Sequence, residues 1–390
     1  MKFFFYIVIQ SIKNIFRYRL KSLFYFVSIF IVSFSLFSIF FATDSIEYIY
    51  KEQLSEAPDI TVQNLMGSKQ QPLLENITDQ FLEINGVDKV TKRYWGYYIF
   101  DYNGVVITMI GIDPYEAQFS DYLEKVTSDI DRNSFKDNTV YLGKAVKRVF
   151  DSIGYSDAAY LSNVKGEMVK LEIAGVLEDS FKFADTILIH RDTLKSLIGI
   201  PDGYCSDIVL KVPNKQEIPI VAAKIKGKYP YLHTITKIDM KKNYSKLFFF
   251  EKGFLMINIV FAIVMIVIIN IDRMVGIGNE VREIGILRAM GWPIAAIVKL
   301  KITEAFIISS FAIFISSIMS MVYIFYLDAP VLKGILLGFS ELRITDRLPM
   351  VIDVSSLIVV FFFVTIPFIL SSIFPIWKGS VRDIVETGVK

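Results

Sequence analysis

The sequence has one cysteine, Cys205, and two histidines, His190 and His233, among 390 residues. One thiol cannot close an intrachain disulfide, so a folded module in this chain must stand on its hydrophobic core. A metal site would have to gather His190, His233, Cys205 and a methionine from distant positions. Surface or satisfied core residues are the simpler expectation, and we expect no metal. No G-x-x-x-x-G-K-[ST] loop is present, so this chain has no cradle for nucleotide phosphates. Paired-histidine motifs, a kinase signature and a triad by spacing are missing too. No catalytic residue and no bound cofactor are expected.

Charge is absent from four long stretches, 22–43, 253–271, 305–327 and 354–377. A bilayer core of ~30 Å takes about 20 helical residues, so each stretch is long enough to cross once. Ion and proton pathways usually need intramembrane acids or bases, and their absence argues against a proton-driven transporter. The rest of the composition agrees: 53% of residues are hydrophobic, with 33 Phe and 20 Tyr. The first stretch does not read as a cleaved leader. "FFFYIVI" is followed by Lys13, Arg17, Arg19 and Lys21 and then by an uncharged run of full span length.

Lysine and arginine near the span ends set orientation. The segment before residue 22 has five basic and no acidic residues, and 272–304 carries Arg273, Arg282, Arg288, Lys299 and Lys301. Both termini and the middle loop are therefore expected in the cytoplasm. The net charge of +2 identifies no partner, and no nucleic acid is expected. The predicted plan is an α-helical membrane protein with four transmembrane helices and a large α/β extracytoplasmic domain inserted between the first and second spans. Its parts are a cytoplasmic amphipathic helix (1–21), a first span (22–43), the outer domain (44–252, with an inserted subdomain at about 116–200) and a second span (253–271). There follow a cytoplasmic region (272–304), a third span (305–327), an outer loop (328–353), a fourth span (354–377) and a cytoplasmic tail (378–390).

Patterning fills in the parts. Phe5, Ile9, Ile12 and Phe16 recur at helical spacing, with Gln10, Lys13, Asn14, Arg17 and Lys21 opposite, as in a basic helix lying in the headgroup plane. "YYIFDYNGVVITMIGID" predicts a β-hairpin turning at Asn103-Gly104. Val169, Leu171 and Ile173 alternate with Lys170 and Glu172, a half-buried strand, and "DTILIH" and "SDIVLKV" are further strands. "ITDQFLEINGVDKV" and "EIPIVAAKIKGKYPYLHTI" each read as a helix leading into a strand, with Ile218, Val221, Ala222 and Ile225 on one face of the second helix. In the third span Ala305, Ser309, Ala312, Ser316 and Ser320 form a small-residue stripe suited to close helix packing within or between subunits. Asn258 and Asn270 are candidates for an interhelical hydrogen bond in the second span.

The middle cytoplasmic region holds "NEVREIGILRAMGWP". Ile277, Val281 and Ile284 form one apolar stripe, while Ile286 and Met290 fall on the other side among Arg282 and Glu283. A helix resting on a membrane needs only one apolar face. An apolar patch with a charged rim, completed by Glu280 and Arg288, suits a protein partner. An ordinary juxtamembrane helix, with arginines serving topology alone, is the competing reading. Gly291 and Pro293 then break the helix.

"VREIGILRAMGWPIAAIVKLKITEAFIIS" resembles the permease subunits of the MacB/FtsX/LolC type, the four-span class of ABC transporters also called type VII. That family carries an Arg-Glu-Ile-Gly-Ile-Leu-Arg-Ala-hydrophobic-Gly run after its second span, and residues 282–291 match it position by position. "VYLGKAVKRVF", "GEMVKLEIAGVLED" and the tail "PIWKGSVRDIVETGVK" are similar to further family segments. Gly379-Ser380 stands where Ala-Ser is common, and Trp292-Pro293 replaces a polar pair. The resemblance implies a coupling helix, with Glu280, Arg282, Glu283, Ile286, Leu287, Arg288, Met290 and Gly291 docking on a cytoplasmic ABC ATPase that binds ATP and Mg. It implies pairing with a second permease copy or paralogue, and mechanotransmission to the outer domain for export or extraction of lipoproteins, peptides or hydrophobic compounds. A periplasmic adaptor or lipoprotein and membrane lipid are further expected partners. An alternative within the resemblance is a regulatory subunit that activates an extracytoplasmic cell-wall hydrolase. A sensor is the reading outside it, disfavoured because three spans follow the outer domain and only a short tail remains.

Overall fold

The computed structural model describes residues 2–67, 69–100, 104–113, 135–177, 183–275, 277–332, 335 and 348–381, with side chains left out at 2–4, 244–255, 269–270, 272–282 and 374–381. Asn103, much of the expected outer loop at 328–353, residues 382–390 and the stretches 114–134 and 178–182, which take in part of 116–200, lie outside the described residues. The chain forms two compact units: 1–48, 248–333 and 347–390 in one, and 49–247 with 334–346 in the other.

The first unit is helical. It contains α1 (Lys2–Arg17), most of α2 (Arg19–Glu56), the C-terminal part of α7 (Lys237–Val275), α8 (Ile277–Ala289), α9 (Ile294–Met321) closed by a π-turn (Val322–Tyr326), and α10 (Val354–Val381). Among the described residues three helices are long and apolar enough to cross a membrane: Arg19–Glu56, Ile294–Tyr326 and Val354–Ile373. Within α7 the described apolar stretch is Met256–Ile268. Both α2 and α7 outrun the expected spans at 22–43 and 253–271, because the helical pattern continues into charged residues that water or headgroups can solvate.

Small polar groups and rings hold these helices together. The Ser38 and Ser320 hydroxyls are 3.0 Å apart between α2 and α9, and Ser35 donates to Asn258 at 2.9 Å between α2 and α7. Phe26 meets Phe311 and Phe306 meets Phe361, each through ring edges or tilted faces. Ser356 at the start of α10 donates to Asp44 at 3.1 Å. All five residues of the small stripe are buried inside this unit. Ser309 and Ser316 return their hydroxyls to their own helix at Phe306 O and Ile313 O, leaving short side chains that let neighbouring backbones close in.

The second unit is α/β. Its strands are β1 (Ile60–Met66), β2 (Lys69–Gln71), β3 (Leu73–Leu74), β4 (Lys89–Ile99), β5 (Val106–Ile112), β6 (Thr139–Leu142), β7 (Ala158–Ser162), β8 (Met168–Val176), β9 (Thr186–His190), β10 (Tyr204–Cys205), β11 (Asp207–Lys211) and β12 (Leu232–Thr236). The helices are α3 (Ile77–Leu82), α4 (Lys144–Ser152), α5 (Arg191–Ile198) and α6 (Ile218–Lys228). One mixed sheet runs β12-β1-β11-β4-β5-β9-β6-β8-β7, with β2 paired to β1, and β3 pairs with β10. The strands from the middle stretch, β6 to β9, are hydrogen-bonded into this same sheet.

Period-two alternation explains the layers. Ile60, Leu210, Met109, Ile187 and Leu142 share one face and pack with Phe81 of α3, Phe150 of α4, Leu194 of α5 and Val221 of α6. On the other face Ile112, Phe135, Tyr141, Phe183 and Leu188 make a smaller core. The β4–β5 hairpin forms as the sequence predicts, with Gly104 at φ 68. Gly227 lies inside α6, one residue before its end.

Cys205 lies in the main core, its thiol 3.5 Å from Leu73 O. Burial first, and then the charges of Glu75 and Asp207, push its pKa up to about 12. The thiolate is the reactive form, so the folded chain is expected to resist iodoacetamide at a pH about the free-thiol pKa of 8.5. After denaturation it should add one carbamidomethyl group, a difference that intact-mass measurement reads directly.

Candidate coupling site

The site grows from the turn between α8 and α9. Gly291 takes the left-handed conformation at φ 85, its N–H donates to Arg288 O at 2.9 Å, and the Trp292 N–H donates to Leu287 O at 3.1 Å. These two bonds make a Schellman closure, in which the residue after the glycine usually packs back on the last turn. Here that residue is Trp292, packed with Leu287 against a small cluster around Ile284 and Ile297. The tryptophan that departs from the family pattern thus supplies the hydrophobic half of the helix stop. Pro293 is then the N-cap of α9, outside the helical hydrogen-bond ladder, where its missing N–H costs no helix bond.

The described side chains of α8 divide by face. Ile284 is 1% exposed and packs on Ile297 of α9. Ile286 and Met290 are 55% and 62% exposed. Leu287 and Arg288 are half-buried, and the side chains of Glu280 and Arg282 lie outside the described residues. Glu283 is placed differently from the rim expected of it. Lys301 donates to both of its oxygens, at 3.2 and 3.1 Å, so it faces the protein's own α9. Lys301 also reaches Glu304 at 3.1 Å, and Glu304 accepts from the Asn14 amide of α1 at 2.8 Å. Sequence reasoning missed Lys301, Glu304 and Asn14. Their only signal was an acid and a base three residues apart just before the third span.

The opposite end of the long helices is built as firmly. α2 ends and β1 begins within four residues, and β12 passes directly into α7. β1 and β12 are antiparallel neighbours, with Ile60 opposite Thr236. Thr236 and Asp239 form a reciprocal capping box: the Asp239 carboxylate accepts from the Thr236 N–H, and the Thr236 hydroxyl accepts from the Asp239 N–H, both at 3.1 Å. The Thr236 hydroxyl also donates to that carboxylate at 2.7 Å, and this bond first, then the one from the Thr236 N–H, holds the Asp239 carboxyl below its usual range. Lys237 donates to Ser55 O at 2.7 Å and Ala57 O at 3.2 Å, which ties the start of α7 to the end of α2.

Beside this clamp lies a groove of about 710 Å³ lined by the end of α2 and by β4, β5 and β11. Three of its lining cations, Lys92, Arg93 and Lys237, are engaged by the same unit. Arg93 makes a two-pronged bond to buried Asp207 at 2.7 and 2.7 Å, and Trp95 Nε1 adds a third at 2.9 Å. Lys92 and Lys195 flank Glu75 at 3.3 and 3.0 Å. Burial alone would raise the Glu75 pKa, but the hydrogen bond and charge of Lys195, with Lys92, hold it below the ordinary value. The groove is therefore a braced seam where the two long helices meet the sheet.

Residues 255–383 match the family model described as FtsX-like permease C-terminal. No curated protein matches the chain. Among solved structures, the periplasmic region of MacB from Actinobacillus actinomycetemcomitans is similar at 12% identity and a TM-score of 0.33, covering 50% of this chain and 98% of that one. The extracellular domain of the noncanonic ABC-type transporter YknZ from Gram-positive bacteria is similar at 14% identity and a TM-score of 0.30, covering 45% and 99%. The matched segment takes in α8, its glycine stop, α9 and α10, the elements that carry the site, and this part of the chain is similar to the C-terminal region of FtsX-like permeases.

Proposed function

We propose that this chain is the mechanical permease subunit of an ABC transporter of the MacB/FtsX type: a cytoplasmic ATPase grips α8, and its opening and closing moves the outer α/β module. The observation that carries the reading is the division of α8. Ile284 and Glu283 anchor the helix to α9, while Ile286 and Met290 present an apolar patch to the outside. An anchored helix with an unburied apolar patch is what a docked joint requires, since a force applied to the patch passes into α9. On this reading α2, α7, α9 and α10 are four spans with both termini in the cytoplasm, two such chains or a chain and a paralogue pair, and ATP with Mg binds the ATPase alone. The charge-free spans support cargo handled outside the membrane core, with lipoproteins, peptides or hydrophobic compounds as the cargo class.

The test is Ile286→Glu with Met290→Glu in the full chain, purified in detergent beside the wild type. Both side chains are exposed, so the variant is expected to fold and to lose the co-purifying ATPase by at least about tenfold, the effect of ~1.4 kcal/mol. Undiminished co-purification would remove α8 from the interface.

A further inference from the structure

The N-terminal helix α1 is not seated by its apolar stripe. Phe5 and Phe16 are 68% and 69% exposed, and Ile9 and Ile12 are exposed as well. The buried face is Ile7, Ser11 and Asn14, although Asn14 belongs to the polar side of the wheel. Ser11 donates to Leu300 O of α9 at 3.2 Å, a close approach that only a small side chain allows. Asn14 donates to Glu304, Glu304 accepts from Lys301, and Lys301 donates to Glu283 of α8. One turn from the N-terminus, the Tyr6 ring lies 6.1 Å from Trp292 in the α8–α9 turn. Helix α1 thus holds the joint at two places, through a polar chain at one end and a ring pair at the other.

We propose that α1 and α8 move as one body, with Asn14, Lys301 and Glu304 as positioning residues that tie the N-terminal helix to the coupling helix. The inference rests on the mechanical reading above and deepens it, because a displacement imposed on α8 then displaces a helix whose apolar stripe is left for lipid. Geometry favours a rigid tie over chance contact. A carboxylate–ammonium–carboxylate chain that is largely out of water is stable only when its charges and lone pairs stay matched, so loosening one link exposes the others to an uncompensated cost. Ion pairs at an exposed surface would impose no such condition.

The experiment places spin labels at Ile12→Cys on α1 and Ala289→Cys on α8 in the full chain, reconstituted in nanodiscs. Buried Cys205 stays unlabelled. In the otherwise wild-type protein a single narrow distance distribution is expected. Lys301→Met should broaden it and shift its mean. Should Lys301→Met not fold, Asn14→Ala with Tyr6→Ala removes only the α1 ends of both contacts, leaves Lys301 between its carboxylates, and should broaden the distribution too. Wild-type widths in the variants would overturn the inference. So would a broad distribution in the wild type. As a functional readout, unlabelled Lys301→Met should keep the co-purifying ATPase, since the Ile286–Met290 patch is intact, but lose the response of ATP hydrolysis to permease binding. Failure of the wild-type chain to hold any ATPase would instead overturn the mechanical reading, and the distances would report that separately.

Discussion

Arg93→Leu is expected to destabilise the α/β unit by about 3 kcal/mol, the lower end of the cost of stripping the partner from a buried charge. The reason lies on the sheet. Arg93 of β4 and Asp207 of β11 are cross-strand partners, and the Asp207 side chain has no solvent exposure while that of Arg93 is partly open. Leucine would keep the apolar stem and remove both short bonds, leaving the carboxylate with only the Trp95 indole N–H from this set. Because 1.4 kcal/mol is a factor of ten, the folded-to-unfolded ratio should fall about 100-fold. Denaturant titration of the full chain in detergent, followed by protease sensitivity of the α/β unit, measures it. Adding Asp207→Leu should recover much of the loss, since removing both partners leaves no orphan charge. A loss under about 0.5 kcal/mol, the size of an ordinary surface substitution, would show that the pair does not brace the seam.

Gly143→Ala should be worse still, by about 4 kcal/mol or more. Gly143 precedes α4 with φ −63 and ψ 149, a conformation any residue adopts, so backbone freedom is not the issue. Space is. A Cβ there would lie 1.8 Å from Phe183 O and 2.5 Å from Ala184 O, both backbone atoms that no side-chain rotation can move aside. Relief requires pulling apart the chain segments joined by Gly143 N–H to Thr186 O at 2.7 Å and Ala145 N–H to Ala184 O at 3.0 Å. The sequence signal is only the glycine of "VYLGKAVKRVF". Gly227→Ala is the control. A helical glycine with open space around its Cβ position should gain ~0.5–1 kcal/mol on becoming alanine. Thermal unfolding of the two variants should move in opposite directions; similar shifts would contradict the steric account.

Which parts were legible in the sequence follows from the range of the forces involved. Alternation over Val169, Leu171 and Ile173 reports a local periodicity, and β8 buries Leu171 as read. The apolar helices and the hairpin were legible for the same reason. The face of α1 was not. A helical wheel shows where the apolar stripe lies, but in a membrane that stripe can face lipid, and the packing face is set by small and hydrogen-bonding groups such as Ser11 and Asn14. Glu283 shows the same limit. Its charge suggested an exposed rim, yet its partner Lys301 lies 18 residues on, beyond the turn made by Gly291 and Trp292. The link from Asn14 to Glu304 spans 290 residues, and nothing local announces it.

The pairing of β1 with β12 carries one last mechanical consequence. Two long helices enter adjacent strands whose ladder runs from Ile60 opposite Thr236 to Asn64 opposite Leu232. A ladder can slip only in steps that keep each side chain on its own face, that is two residues, or roughly 6.6 Å at 3.3 Å per residue. On the mechanical reading proposed above, a displacement shorter than that step has no alternative register to fall into, so slippage of the β1–β12 ladder would not absorb it.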